Sequence, residues 1–427
     1  MSLTETVSIM NVFEAFQPAT HSGSTRIDKV RAEAKAALEL LPIPGRKTEA
    51  WKYTPVTPLV THAWKPAKEG AEVDLSTLDI PHMDAYRMVF VDGYFRAECS
   101  DEHLPENVVL LPMSYAKDAE KENFDSVYGK QADHQKDLFI ALNTAYASNG
   151  VFLRLKKNSV LDKPVHVIHV YTQADTAVMT RNIIIAEQGS KGEMIHSSIH
   201  RAKPIHSNVV TEVRVEDNAH FVLDKLQGGT DSSFHFSGEE VFQGRDASTT
   251  INTITLAGAW TRNEPHIRLK GSNSICYLNG AYFPTGKELI DNHTVIDHLV
   301  PHCESHELYK GVVYQQSKGV FNGKVFVRPD AQKTNAFQQN ANIVMSEQAS
   351  MNSKPELEIY ADDVKCSHGS TTGQLDREAL FYLQCRGLNY VAAKQMLVHA
   401  FVGEVVDRLT SLELKEYIWR KLEEKLA

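Results

Sequence analysis

The residues in this chain whose types and spacing could do chemistry lie close together in Val364-Lys-Cys366-Ser-His368-Gly-Ser-Thr-Thr-Gly373. If the strand-like run from Leu357 to Ala361 continues through this segment, Cys366 and His368 stand two residues apart and point to the same side, because strand side chains alternate. A thiol and an imidazole side by side make half of a site for a soft metal, since thiolate and imidazole both ligate iron, copper and zinc. Two ligands are not a site, and the sequence contains no CxxC pair from which a four-cysteine centre could be built. The remaining ligands must come from elsewhere in the fold or from another chain. Read from these residues alone, the pair is more often structural, a buried cysteine being commonly a small hydrophobe.

Other candidates are weaker. Histidines are frequent through the middle of the chain (His166, His169, His196, His200, His220, His235, His266, His293 and His298 among them), and His302-Cys303-Glu304 with His306 has the look of a metal cluster. Histidine is a residue of intermediate burial, and polar filler at the surface or within a strand ladder accounts for the series more readily. Gly280-Ala-Tyr-Phe-Pro-Thr-Gly286-Lys287-Glu288 imitates a phosphate-binding loop. It has one residue too many between its glycines, and a glutamate stands where a magnesium-binding hydroxyl belongs, so the expectation is that this chain binds no nucleotide. There is no G-x-S-x-G elbow and no HExxH.

The elements that must position Cys366 and His368 follow from periodicity. From Val151 the chain runs in short alternating segments rich in Val, Ile and Thr, broken by small polar turns. Turns beginning at Gly189, Asp217, Arg245, Gly271, Pro301 and Pro329 are 28, 28, 26, 30 and 28 residues apart, within the roughly 20–50-residue range of stacked repeats. In Val209–Val215 the residues Val209, Thr211, Val213 and Val215 share one face, while Glu212 and Arg214 share the other. Many such strands at a fixed spacing predict a β-solenoid. A two-sheet sandwich would show turn signals every ~8–12 residues without the longer period.

Helical signals flank this core. Thr25 with Asp28 has the form of a capping box before Val30, Ala34, Ala37, Leu38 and Leu41, and Pro42 and Pro44 end the run. Leu59–Asn149 is mixed, with a strand-like Met88–Val91 before Asp92-Gly93. After Gly373, Asp376 and Asn389 are placed as N-caps, Gly387 as a helix-ending glycine, and Thr410 with Glu413 as a last capping box. The second of these helices is expected to carry its apolar stripe on Val391, Met396, Leu397, Ala400, Phe401, Val405 and Leu409, and the last on Leu414, Tyr417, Ile418 and Leu422. The three helices would either close the end of the solenoid or dock another protein. The organisation expected is 1–149 helical and mixed, 150–370 solenoid, and 371–427 helical.

Composition narrows the classes. The 427 residues carry 45 Lys plus Arg against 54 Asp plus Glu, which gives no sign of the clustered positive charge of a nucleic-acid surface. The N-terminus lacks a basic region followed by an apolar one, and no apolar run approaches the ~18 residues of a membrane span, so a soluble cytosolic protein is expected. Five widely spaced cysteines fit reduced thiols better than a disulfide framework.

Three stretches carry a resemblance: Lys333-Thr-Asn-Ala-Phe-Gln-Gln-Asn, Ser353 through Cys366-Ser-His368-Gly, and Tyr382-Leu-Gln-Cys-Arg-Gly-Leu. Together with Arg181-Asn-Ile-Ile-Ile-Ala-Glu-Gln-Gly and Glu49-Ala-Trp51-Lys-Tyr53-Thr, they resemble the SufB/SufD family of iron–sulfur cluster assembly proteins over almost the whole chain. The compact length and the Cys-Ser-His-Gly sequence are similar to the SufD branch rather than the larger SufB branch. The resemblance implies a mainly β protein: a right-handed parallel β-helix with helical regions at both ends. It implies a non-catalytic scaffold in a complex of one SufB, one SufD and two copies of the ATPase SufC, with SufC on the C-terminal helices and SufB paired along the β-helix. It implies a transient iron–sulfur cluster at that pairing, with His368 from this side and a key cysteine from SufB. Cys366 matches the family pattern too and is taken as a second partial ligand. Nucleotide-driven closure of SufC would pull on the helices and expose the interface. Two other classes stand against this: a polysaccharide-modifying β-helix enzyme using Asp291, His293, Asp297 and His298, and a plain homodimeric solenoid acting only as an interaction platform.

Overall fold

The computed structural model describes residues 9–13, 15–16, 25–70, 72–74, 78, 80–101 and 104–426. From Val151 to Gly373 successive strands alternate between two ten-stranded sheets, so that two strands and two turns make one coil of a parallel solenoid. Neighbouring coils are in register at the expected spacing: Lys191, His220, Ser248, Ile275, Glu304, Asn335 and Lys365 are successive Cα partners along the second sheet.

The period is visible in sequence because one corner of each coil needs a left-handed residue. Asn158, Gly189, Asn218, Asp246, Asn273, His302 and Lys333 all have φ between 54° and 72°. Gly, Asn and Asp adopt that conformation at least cost, and they fill five of these seven corners. Corner backbone bonds run from coil to coil, as from Gly189 N–H to Asp217 O (3.0 Å) and from His302 N–H to Gln332 O (2.9 Å).

Alternate residues point into the solenoid. Val213, Val215, Phe221, Leu223, Val241, Ile267, Cys276, Leu278 and Phe321 belong to one buried core there. The sheets reach back before Val151. Tyr86–Val91 joins the second sheet beside Val165–Tyr171 and turns into Tyr94–Arg96 through Asp92 (φ 51°) and Gly93 (φ 86°), the two-residue hairpin that Asp-Gly favours. Val108–Pro112 joins the first sheet against Val151–Leu155.

The N-terminal helices cover the outer face of the first sheet. Trp51 stacks on Phe139 (5.1 Å between centroids), Phe139 stacks on Phe236 (4.8 Å), and Arg262 lies 3.7 Å over Trp51. Glu212 is fully buried: it pairs with Arg181 at 2.7 Å and accepts the backbone N–H groups of residues 129–132. The face of Val209–Val215 that carries Glu212 therefore meets a second layer, not water. The first long helix is Thr25–Leu40; the Thr25 side chain expected to cap it lies outside the described residues.

At the C-terminus Tyr390–Val406 and Leu412–Leu426 lie on the outer face of the second sheet, where Val398, Val402, Val405, Leu414, Ile418 and Leu422 meet Ile195, Leu226, Ile254, Phe283 and Leu308. They run along the flank of the solenoid and leave its end open. Asp376 and Asn389 cap as expected. The last cap is Ser411, whose Oγ accepts from Leu414 N–H, not Thr410. The stripe expected from Val391 to Leu409 is met at Val405 and Leu409 and shifted elsewhere: Val391 and Met396 are exposed, and Ala393, Val398, Val402 and Val406 are buried. The helix Tyr390–Val406 is apolar on nearly every side, so spacing could not choose its face. Among the described residues no helix is long and apolar enough to cross a membrane.

Candidate functional site

The strand Ser350–Ile359 ends in the first sheet, and Cys366 and His368 belong to the next strand, Lys365–Gly373, which is last in the second sheet. The expected continuous strand is thus two strands joined by a turn. The geometric consequence survives, because both residues sit at inward-facing positions two apart: Cys366 is the Cα partner of Ala336, and His368 of Gln338. Only one edge of this strand is paired, and eight of its nine residues are exposed. The ninth is Cys366, half-buried against the solenoid core. Burial pushes its thiol up, with a partial opposing effect from a backbone hydrogen bond of Ala336. Free Cys366 is therefore a thiol near neutrality, and a metal or an incoming cation must stabilise the thiolate.

Beneath His368 the interior is polar. Leu278, Glu307, Gln338 and His368 are successive Cα partners. Glu307 accepts hydrogen bonds from Thr294 Oγ1 and from Gln338 Nε2, the latter at 2.6 Å. Burial raises the Glu307 carboxyl to about 7 against those two hydrogen bonds. On the outer face of the same strands Tyr277, His306 and Phe337 form a ring stack with centroids 5.3 and 5.6 Å apart. It ends at Ser367, the Cα partner of Phe337, in a cleft of about 410 Å³ that His368 and Arg408 help to line.

The other candidates are not brought together. Cys303 points into the core, where its sulfur lies 3.3 Å from Ser274 Oγ, while His302 turns the corner and Glu304 and His306 lie outside. His169, His196, His200 and His235 line the interior: His169 stacks on Phe90 (4.8 Å), and His200 and His235 share Ser207 Oγ. Burial lowers the His169 imidazole to about 3 and that of His200 to about 4, so both are neutral polar filler of the ladder at physiological pH. The segment Gly280–Glu288 runs from strand into turn, and Gly280 makes room for the Tyr309 ring. Asp291 pairs with Arg262 and Thr54, Asp297 pairs with Arg328, and His298 faces inward to Ser305, so these residues do not converge on a common site. Among the described residues no group of three or more His, Cys, Asp or Glu is arranged to hold a metal ion.

Glu307 was missed in the sequence, and Gln338, although inside the Lys333–Asn340 stretch that carries the resemblance, was not singled out as a site residue. The available signal was the coil period itself, since Gln338 precedes His368 by one coil and Glu307 by two, 30 and 61 residues back.

Comparison with known proteins shows the family of the chain. Residues 169–401 match the family described as "SUF system FeS cluster assembly, SufBD core domain", and residues 5–167 match "SufBD protein N-terminal region". The iron-sulfur cluster assembly protein SufD of Escherichia coli is 30% identical over 391 residues, covering 90% of this chain and 89% of that protein. A SufBD family protein of Synechocystis is 28% identical over 400 residues, covering 90% and 88%. SufD of Bacillus subtilis is 27% identical over 303 residues, covering 70% and 68%.

Proposed function

We propose that this chain, which belongs to the SufB/SufD family of iron–sulfur cluster assembly proteins, is a non-catalytic scaffold subunit that contributes part of a nascent-cluster site to an interface. The observation that carries the proposal is the place of Cys366 and His368: neighbours on one face of the last strand, at an open end of the solenoid, without a third ligand beside them among the described residues. Thiolate and imidazole are both iron ligands, and two of them hold a cluster only when another surface supplies the rest.

The open strand supports a β-helix partner, SufB in this reading. Lys365–Gly373 offers a nine-residue row of backbone donors and acceptors with Lys365 as its one Lys, Arg, Asp or Glu, and such an edge invites pairing unless something covers it. The C-terminal helices support docking of the SufC ATPase. Arg377–Cys385 has no buried residue, and it turns Phe381 and Tyr382 to solvent. Its ends are held by Asp376 and by a Schellman closure, with Gly387 N–H to Gln384 O (3.0 Å) and Leu388 N–H to Leu383 O (3.3 Å). This helix packs only partly, through Ala379, Leu380 and Leu383, and leaves aromatic surface to give to a partner. Nucleotide hydrolysis then belongs to SufC, and the cluster is cargo that passes through.

Replacing His368 with alanine tests the proposal. An exposed side chain of this kind is expected to change stability by less than about 0.5 kcal/mol. Cluster yield in the complex reconstituted anaerobically with SufB and SufC should fall sharply, read from iron, sulfide and visible absorbance. Unchanged yield removes His368 from the site.

A further inference from the structure

Beneath His368 a buried hydrogen-bonded line ends on an atom that lacks a partner. Gln338 is 3% exposed and Glu307 3%. Thr294 Oγ1 donates to one Glu307 oxygen and Gln338 Nε2 to the other. Above about pH 7, where Glu307 is ionised and only accepts, this bond fixes which end of the Gln338 amide faces it. Space for that end is provided from the facing sheet: a Cβ at Gly323 would collide with Gln338 Nε2. The other end, Gln338 Oε1, is buried and has no hydrogen-bond partner. Such an orphan acceptor costs about 1–3 kcal/mol, so its persistence asks for a donor. In the next coil, on the same inward face and one strand spacing of ~4.8 Å away, stands His368, whose ring carries an N–H in every protonation state.

We infer that Gln338 is a positioning residue: the exposed His368 ring, which in this structure is not bonded to Gln338, rotates so that one ring nitrogen donates to Gln338 Oε1, fixing the tautomer and turning the other nitrogen toward the cluster. The inference rests on the reading of His368 as a ligand. It assigns to Gln338 the role that an outer carbonyl plays behind a metal-binding histidine, where loss typically weakens metal binding about 10–100-fold. Thr294 and Glu307 hold the amide from behind. A Gln338 that merely filled the solenoid interior would leave the His368 tautomer indifferent.

Nitrogen-15 NMR of the full chain labelled at histidine tests this before any cluster is present. The His368 signals are those lost in His368→Ala. At about pH 8, where a free imidazole is neutral and exchanges between both tautomers, wild-type His368 should show one tautomer. Gln338→Met should return it to the mixture of a free imidazole. A tautomer mixture in the wild type overturns the inference whether or not Gln338→Met folds, and so does a Gln338→Met spectrum identical to the wild type. The reconstituted complex separates the two ideas. A changed tautomer with cluster binding weakened about 10-fold or more sustains both. A changed tautomer with unchanged cluster binding sustains the role of Gln338 and removes His368 from the ligands.

Discussion

Docking of a partner on the helix Arg377–Cys385 can be quantified from what that helix leaves exposed. Phe381 is 68% exposed and Tyr382 57%. A large aromatic side chain carries roughly 200 Å², so the pair presents on the order of 240 Å² to solvent. At about 25 cal/mol per Å², complete burial would be worth ~6 kcal/mol. An interface that covers half of it retains ~3 kcal/mol, about a hundredfold in Kd. The double replacement Phe381→Ser and Tyr382→Ser removes this area while leaving Asp376 and Gly387, which hold the ends of the helix, untouched. The expected outcome is a loss of affinity for the small ATPase of about a hundredfold or more, measured by calorimetry or biolayer interferometry, with an unchanged melting temperature. Equal affinity would show that the partner sits elsewhere. A melting temperature that falls along with affinity would show that the helix contributes to folding, contrary to its lack of buried residues.

Two further outcomes test the interior and the open end. His169 sits in the core with both ring nitrogens unpaired, and burial lowers its folded-state pKa to about 3. An unfolded histidine titrates near ~6.5, so below that pH the unfolded chain binds a proton that the native chain refuses, and stability drops by about 1.4 kcal/mol per pH unit. His169→Phe, which keeps a ring against Phe90, should therefore gain about 2 kcal/mol relative to wild type between pH 6.5 and 5 in urea denaturation; a pH-independent difference would refute this account. The second outcome contrasts two glycines. A Cβ at Gly280 would collide with the Tyr309 ring, whereas one at Gly369 meets nothing within 4 Å. Gly280→Ala should destabilise the isolated chain by ~1–3 kcal/mol. Gly369→Ala should leave its melting temperature alone and weaken association with SufB, measured by co-purification; undiminished association would mean that the partner does not approach this strand.

The parts of the fold legible in the sequence are those where a local conformational demand repeats. The left-handed corners recruit Asn, Asp and Gly at one point per coil, which is why turns beginning at Gly189, Asp217 and Arg245 mark the period. Strand parity placed Val209, Thr211, Val213 and Val215 together, and short-range hydrogen bonds made Asp376 and Asn389 readable as caps. What escaped depends on partners distant in the chain. Arg181 and Glu212 sit at positions that alternation would turn toward solvent, and they are buried because the loop at 129–132 closes over them. Val108–Pro112 is an ordinary short apolar run until a sheet recruits it, and Met88–Val91, legible as a strand before its Asp-Gly turn, carries no sign of which sheet it joins. At the site, Cys366 and His368 were visible as an i, i+2 pair, but the strand they share belongs to the other sheet from the one that precedes it, a switch no local pattern announces.

If Cys366 and His368 are ligands, as proposed, their place on the last strand couples two events that a site deeper in the solenoid would keep apart. Two coils back, Glu307 is buried and already satisfied by Thr294 and Gln338; a cluster there would have to displace those hydrogen bonds before it could enter or leave. At Lys365–Gly373 the same approach of a second surface can pair the free backbone edge and complete the ligand set. The two are then thermodynamically linked, so whatever factor the cluster adds to the affinity of the partners, the partners add to the affinity for the cluster. A force that separates the surfaces must weaken cluster binding by that factor, so under the proposed function an ATPase docked on the C-terminal helices would control release by pulling on them. Those helices lie on the outer face of the second sheet, with Lys310 bonded to Phe401 O and to Glu404 and Arg408 bonded to Asn279. Arg408 also lines the cleft that His368 borders. On this reading, displacement of the helices reaches the site through the sheet and Arg408.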